Sequence, residues 1–228
     1  MLKFFPLLLV ASLLCAGAAH AQSTYPVHTG ITATVFWIGE PVGNGSTENN
    51  AISAYDDHWL ADYGGFDDWR SFRTFPFFPP FTPRENPFYL DLPFDDINNA
   101  RAHALRRSVV PWASRDAAQL AGPKPFSLMK NRWVKLWHGT HTCYGQVEDA
   151  GPYVYDDAAY VFGTHNQRPR SKRANNAGLD VSPALRDCLH FDTLNDEDNK
   201  VGWRFVDRAG VAVGPWTRVI TTRQVNQG

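Results

Sequence analysis

"NNAGLDVSPALRDCLHF", residues 175–191, decides how this chain is read. Leu179 and Val181 bracket Asp180, and the period of two in a strand turns that carboxylate away from the side on which its neighbours bury. Ser182 and Pro183 then supply an N-cap and a first helical position, after which Leu185, Cys188 and Leu189 share one face. A short strand running straight into a helix is expected, with an acid at the junction. Such a carboxylate in a partly dry cleft has a raised pKa and is suited to general acid chemistry. The commonplace alternative is a strand-end aspartate that tidies a turn.

Working upstream, "RWVKLWH" (132–138) alternates Trp133, Lys135 and Trp137 against Val134 and Leu136. "GTHT" makes a turn, and "CYGQVEDAGPY" (143–153) returns as a second strand, so a hairpin is expected. Gly151-Pro152 ends that strand just after Asp149, and Glu148 alternates to the opposite face, so only one of the two acids can look into a given groove. A turn-capping role is again the plain alternative for Asp149.

Elsewhere, "ITATVFWIG" (31–39) reads as an interior strand and residues 39–50 as a loop. Residues 54–72 hold a short helix stopped by Gly64-Gly65. Prolines 76, 79, 80, 83 and 87 deny residues 75–88 a regular ladder, and the phenylalanines between them argue for an extended segment wrapped over the core. "YLDLPFDD" (89–96) reads as strand, 97–107 as helix, 108–113 as strand and 156–163 as a short helix. "VGWRFVD" and "GVAVGPWTRVITT" read as closing strands. Six or seven strands with short helices between them favour a small mixed barrel.

"CYGQVEDAGPYVYDDAAYVFG…NNAGLDVSPALRD" resembles the double-psi β-barrel domains of the rare lipoprotein A and expansin type. Those carry a strand ending in Asp-Arg-Gly-Pro and, after a loop, an aliphatic-Asp-Leu-Ser segment that starts a helix. The counterparts here are Asp149-Ala150-Gly151-Pro152 and Leu179-Asp180-Val181-Ser182. "LDLPF" (90–94) is similar to the family's Leu-Pro-Phe-Gly segment and "ATVFW" (33–37) to its first strand; residues 31–96 match more loosely than the later half. The resemblance implies a mainly β fold, a six-stranded double-psi β-barrel, with a glycan groove across it. In related family 45 glycoside hydrolases and barrel-type lytic transglycosylases, the aspartate matching Asp180 donates the proton to the glycosidic oxygen. Two departures matter. Ala150 replaces the family's arginine, and Phe36-Trp37 is followed by Ile38-Gly39 where a catalytic base would stand, leaving Glu40 as the nearest acid. An inverting hydrolase needs a second carboxylate roughly 6.5–9.5 Å from the first. Hydrolysis, lytic cleavage and expansin-like binding without cleavage therefore all stay open. Asp180, Asp149 and Glu40 are the candidate catalytic acids.

Trp37, Tyr153 and Trp59 are the expected sugar-stacking residues, with Trp69 and Tyr55 as further candidates, since aromatic rings offer apolar area with a polar rim. "HGTH" (138–141) sits in a hairpin turn without a third ligand near it in sequence, so no metal is expected. The acidic run 192–199 lacks the glycine and terminal glutamate of a calcium-binding loop. Arg168, Arg170, Lys172 and Arg173 read as a solvated loop, and Asn44 as a glycosylation acceptor in a surface loop. There is no phosphate-binding glycine loop and no Gly-x-Ser-x-Gly elbow, and no cofactor is expected.

Composition bounds the partners. Lys plus Arg number 22 against 23 for Asp plus Glu, with no basic stripe for nucleic acid. Lys3, the apolar run "FFPLLLVASLLCAG" and "AHA" (19–21) read as an export signal covering residues 1–21, too short in its apolar part to span a membrane. A lipoprotein anchored through Cys15 is the rival, disfavoured by Leu14 where a small residue is expected. Residues 22–228 then form one secreted or periplasmic domain, expected as a monomer whose partner is a polysaccharide. Cys143 and Cys188 remain, as one disulfide tying the hairpin strand to the helix after Asp180 or as two buried thiols.

Overall fold

A computed structural model describes residues 25–43 and 49–228. The export signal, Cys15 and Asn44 lie outside the described residues. Six strands close into a barrel: β1 (His28–Val35), β2 (Tyr89–Leu92), β3 (Trp133–His138), β4 (His141–Ala150), β5 (Leu179–Val181) and β6 (Lys200–Val206). Round the barrel they run β1-β5-β2-β4-β3-β6, and β6 pairs back to β1. Two neighbouring pairs are parallel, β1 with β5 and β2 with β4; the other four are antiparallel. Closure leaves no open sheet edge.

The hairpin forms as its period demands. Val134 and Leu136 are fully buried, whereas Lys135 and Trp137 are partly exposed. His138 opposes His141 across a two-residue loop in which Gly139 takes a φ of 54°, a conformation with little penalty for glycine. Helix α5 (Pro183–Leu189) starts where expected: the Ser182 side chain accepts from the Leu185 amide at 3.2 Å. All its residues are buried, and the Cys143–Cys188 disulfide ties it to β4 across 6.3 Å between Cα atoms.

Other helices are short. α1 (Trp59–Tyr63) stops at Gly64, whose φ is 108°, and α4 (Ala158–Val161) is capped by Asp157. α3 (Ala117–Leu120) is a single turn. Two expectations are corrected. Residues 108–113 are not a strand: α2 (Ala100–Val109), capped by Asn99, runs into them, and Pro111 lies in the turn that follows. Residues 210–222 form no strand of the barrel but irregular chain with a 3-10 turn at Pro215–Thr217, because the barrel already closes through β6. The proline-phenylalanine segment has neither helix nor strand; Phe77 and Phe78 pack on the main core and Phe81 on a smaller one, while Phe72 and Phe75 stay exposed. Among the described residues no helix is long and apolar enough to cross a membrane.

Candidate functional site

Four neighbouring strands place one polar side chain each at the same end of the barrel. Thr34 on β1 faces Asp180 on β5 in parallel register, and Asp91 on β2 faces Asp149 on β4 in the same way. The Leu90–Val181 pair joins the two halves, bringing Asp91 against Asp180. The Thr34 hydroxyl donates to Asp180 Oδ1. The Asp180 backbone N–H donates to Asp91 Oδ1 at 2.6 Å. Asp149 Oδ1 accepts two backbone N–H groups, from Ala54 at 2.7 Å and Ala150 at 2.8 Å. All four residues line one cavity of about 510 Å³.

Glu40 enters that cavity from the loop after β1, its carboxylate accepting from Asn50 Nδ2 at 3.1 Å. Burial, then the Asp180 charge, push its pKa up to about 7. Burial raises Asp149 to about 7 against its two amide donors, and raises Asp180 to about 6 against the Thr34 hydroxyl. Asp91 is also held well above the usual carboxylate range, by burial first and then by the Asp180 and Asp149 charges. Acids in this range can hold or release a proton near neutrality.

Glu148, next to Asp149, is buried on the other side of β4 and ion-paired with Lys130 at 2.9 Å. The alternation expected of the strand thus assigns Asp149 alone to the cavity.

Trp37 and Tyr153 line the same cavity. Trp37 lies against Trp69, ring centroids 5.0 Å apart, and Trp69 also reaches the cavity. Helix α5 holds Trp69 there: the Arg186 guanidinium donates to the Trp69 carbonyl at 2.7 Å and to that of Ser71 at 3.2 Å. The element that follows Asp180 therefore also carries the aromatic wall. Tyr153 stands at a sharp turn in which it and Val154 both have positive φ, 54° and 52°, a strained pairing of the kind found where a site dictates the backbone.

Two aromatics are corrected. Trp59, expected to stack on sugar, is 1% exposed and packs on Phe36 and Tyr89 in the smaller core, outside the cavity. Tyr55 is likewise fully buried. α1 turns Trp59 and Tyr63 inward, and Tyr55, which precedes the helix, packs in the main core. The basic loop is also more engaged than expected: Arg168 donates to the Thr29 and Gly30 carbonyls, and Arg170 pairs with Asp156 and Asp157.

Sequence reasoning does not single out Asp91. A signal for it exists, because Leu90-Asp91-Leu92 repeats the aliphatic-Asp-aliphatic pattern of Leu179-Asp180-Val181. A Cβ on Gly151 would collide with Asp91 Oδ2, so the glycine after Ala150 leaves room for this carboxyl.

No protein-family model matches the chain, and neither the curated proteins nor the solved structures searched contain a match to it.

Proposed function

We propose that this is an exported polysaccharide-active protein of the double-psi β-barrel type, which binds cell-wall glycan such as peptidoglycan or a plant glucan and cleaves it with Asp180 as general acid. One observation carries this reading: Asp180, Asp149 and Glu40, far apart in sequence, line a single cavity walled by Trp37, Trp69 and Tyr153. The two parallel strand pairs within a mixed six-stranded barrel support the double-psi resemblance.

In this mechanism the sugar ring lies on the aromatic wall, and protonated Asp180 gives its proton to the glycosidic oxygen as the bond breaks. The Thr34 hydroxyl then holds the resulting carboxylate. Asp149 or Glu40 takes the proton from water attacking the anomeric carbon in a hydrolase; in a lytic enzyme the sugar's own hydroxyl attacks that carbon instead and gives its proton to the Asp180 carboxylate. With its pKa raised to about 6, Asp180 can hold a proton in mildly acidic solution.

A second reading, an expansin-like module that binds or loosens wall polymer without cleavage, is favoured by Asp149. Its Oδ1 is already committed to two backbone amides, as in a structural acceptor. Incubating purified protein with peptidoglycan and with cellulose separates the two. New reducing ends or anhydro-sugars, lost in Asp180→Asn while retention on the polymer persists, support cleavage. Retention without product supports the binding module. Turnover retained in Asp180→Asn removes Asp180 from its role.

A further inference from the structure

Asp91 sits in the middle of the polar row, with an acid on each adjacent strand, and is only 4% exposed although it lines the cavity. Among the described residues no lysine, arginine or histidine forms an ion pair with Asp91, Asp149 or Asp180. The 2.6 Å bond from the Asp180 amide to Asp91 Oδ1 locks the two strands at this level. Two carboxyls held side by side in a poorly solvated floor, without a cation, do not both ionise near neutral pH.

We propose that Asp91 is the positioning residue for Asp180, and that the two carboxyls titrate as one unit that carries at most one negative charge up to neutral pH. Asp91 fixes the Asp180 backbone through Oδ1 and stays protonated while Asp180 gains and loses its own proton, so Asp180 ionises beside a neutral neighbour. What the unit is for, supplying the acid in glycan cleavage, rests on the function proposed above; the coupling itself does not.

The groups that face the pair come from every neighbouring element. Thr34 donates to Asp180 from β1, and Glu40 adds a like charge from the loop after it. Asp149 adds another from β4, moderated by Lys130. From α4 comes the Tyr160 hydroxyl, which feels Asp91 and accepts the Trp203 indole N–H at 2.9 Å. Of these only Lys130 is cationic, and it is paired with Glu148; Arg70, which lines the cavity, is paired with Asp68 at 3.0 Å. Coupled sites of this kind titrate in two steps that belong to the pair.

The test is carboxyl-carbon NMR titration of aspartate-labelled protein, wild type beside Asp91→Asn and Asp180→Asn. In the wild type the Asp180 signal should show a second inflection at the Asp91 midpoint. Asp91→Asn should abolish that inflection, and Asp180→Asn should lower the Asp91 midpoint by about one pH unit or more, since the like charge is gone. An Asp91 midpoint unmoved in Asp180→Asn overturns the proposal, as does a single-step Asp180 curve in the wild type. Asp180 is partly exposed, so its variant decides the matter even where Asp91→Asn fails to fold. No substrate is involved: wild-type protein inert on every glycan but with coupled curves refutes the cleavage mechanism alone, while active protein with independent curves refutes the coupling alone.

Discussion

Asp149 and Ala54 lie 95 residues apart in sequence, yet the Ala54 N–H donates to Asp149 Oδ1 at 2.7 Å. The bond ties the end of β4 to the segment that leads into α1. A second donor, the Ala150 amide, converges on the same oxygen. Asp149→Ala leaves both amides without their acceptor and should destabilise the protein by about 1–3 kcal/mol. Asp149→Asn keeps an acceptor oxygen and should be much milder. Urea unfolding of the two variants measures the difference, and equal losses would show that the oxygen does not hold the two segments together.

The groove acids make stability depend on pH in a definite direction. Folding raises Asp180 from 3.8 to about 6, Asp149 from 3.8 to about 7 and Glu40 from 4.5 to about 7. The folded state therefore binds more protons than the unfolded one between about pH 4 and 7, and this contribution to stability is lost as pH rises through that window. Glu40→Gln removes one such group. Relative to wild type its melting temperature should be higher at pH 7.5 than at pH 4.5. A difference of the opposite sign would mean that Glu40 is stabilised as its anion.

Charge also bears on which glycan fits. Glu40, Asp91, Asp149 and Asp180 line the cavity against one cationic residue among those described, Arg70, itself paired with Asp68 at 3.0 Å. Raising the pH from about 5 to about 8 charges the cavity more negatively, so a carboxylated glycan should lose affinity more steeply than a neutral glucan. Pelleting assays at both pH values on the two polymers report this. Parallel curves would place the bound polymer away from the acids.

Trp37 and Trp59 should separate binding from stability. Trp59→Ala empties a fully packed core position and should cost about 3–5 kcal/mol. Trp37→Ala removes part of the cavity wall and should weaken retention on polymer with a smaller change in melting temperature. Calorimetry paired with a pull-down tests both, and unaltered retention in Trp37→Ala would take that ring out of the binding surface.

The Cys143–Cys188 bond closes a loop of sequence separation 45, long enough for its loss to cost about 2–4 kcal/mol. The protein should migrate differently on gels with and without reductant, and Cys188→Ser should melt at lower temperature. Identical migration would show that the bond does not form.

What the local sequence determined is what local physics decides. Period-two alternation in residues 132–138 made β3, Ser182 and Pro183 began α5, and the strand pleat sent Glu148 and Asp149 to opposite sides. Asp180 stands out in the sequence because an acid between two aliphatic residues is unusual. The same pattern at Asp91 gains its meaning only with β2 lying beside both β4 and β5. Tertiary structure alone decided that Asp91, Asp149, Asp180 and Glu40 meet, and that Trp37 and Trp69 wall the cavity while Trp59 is core. The reason is physical: periodicity fixes which side of its own strand or helix a side chain takes. What stands opposite is set by pairing between residues tens of positions apart, whose register depends on how the whole barrel closes.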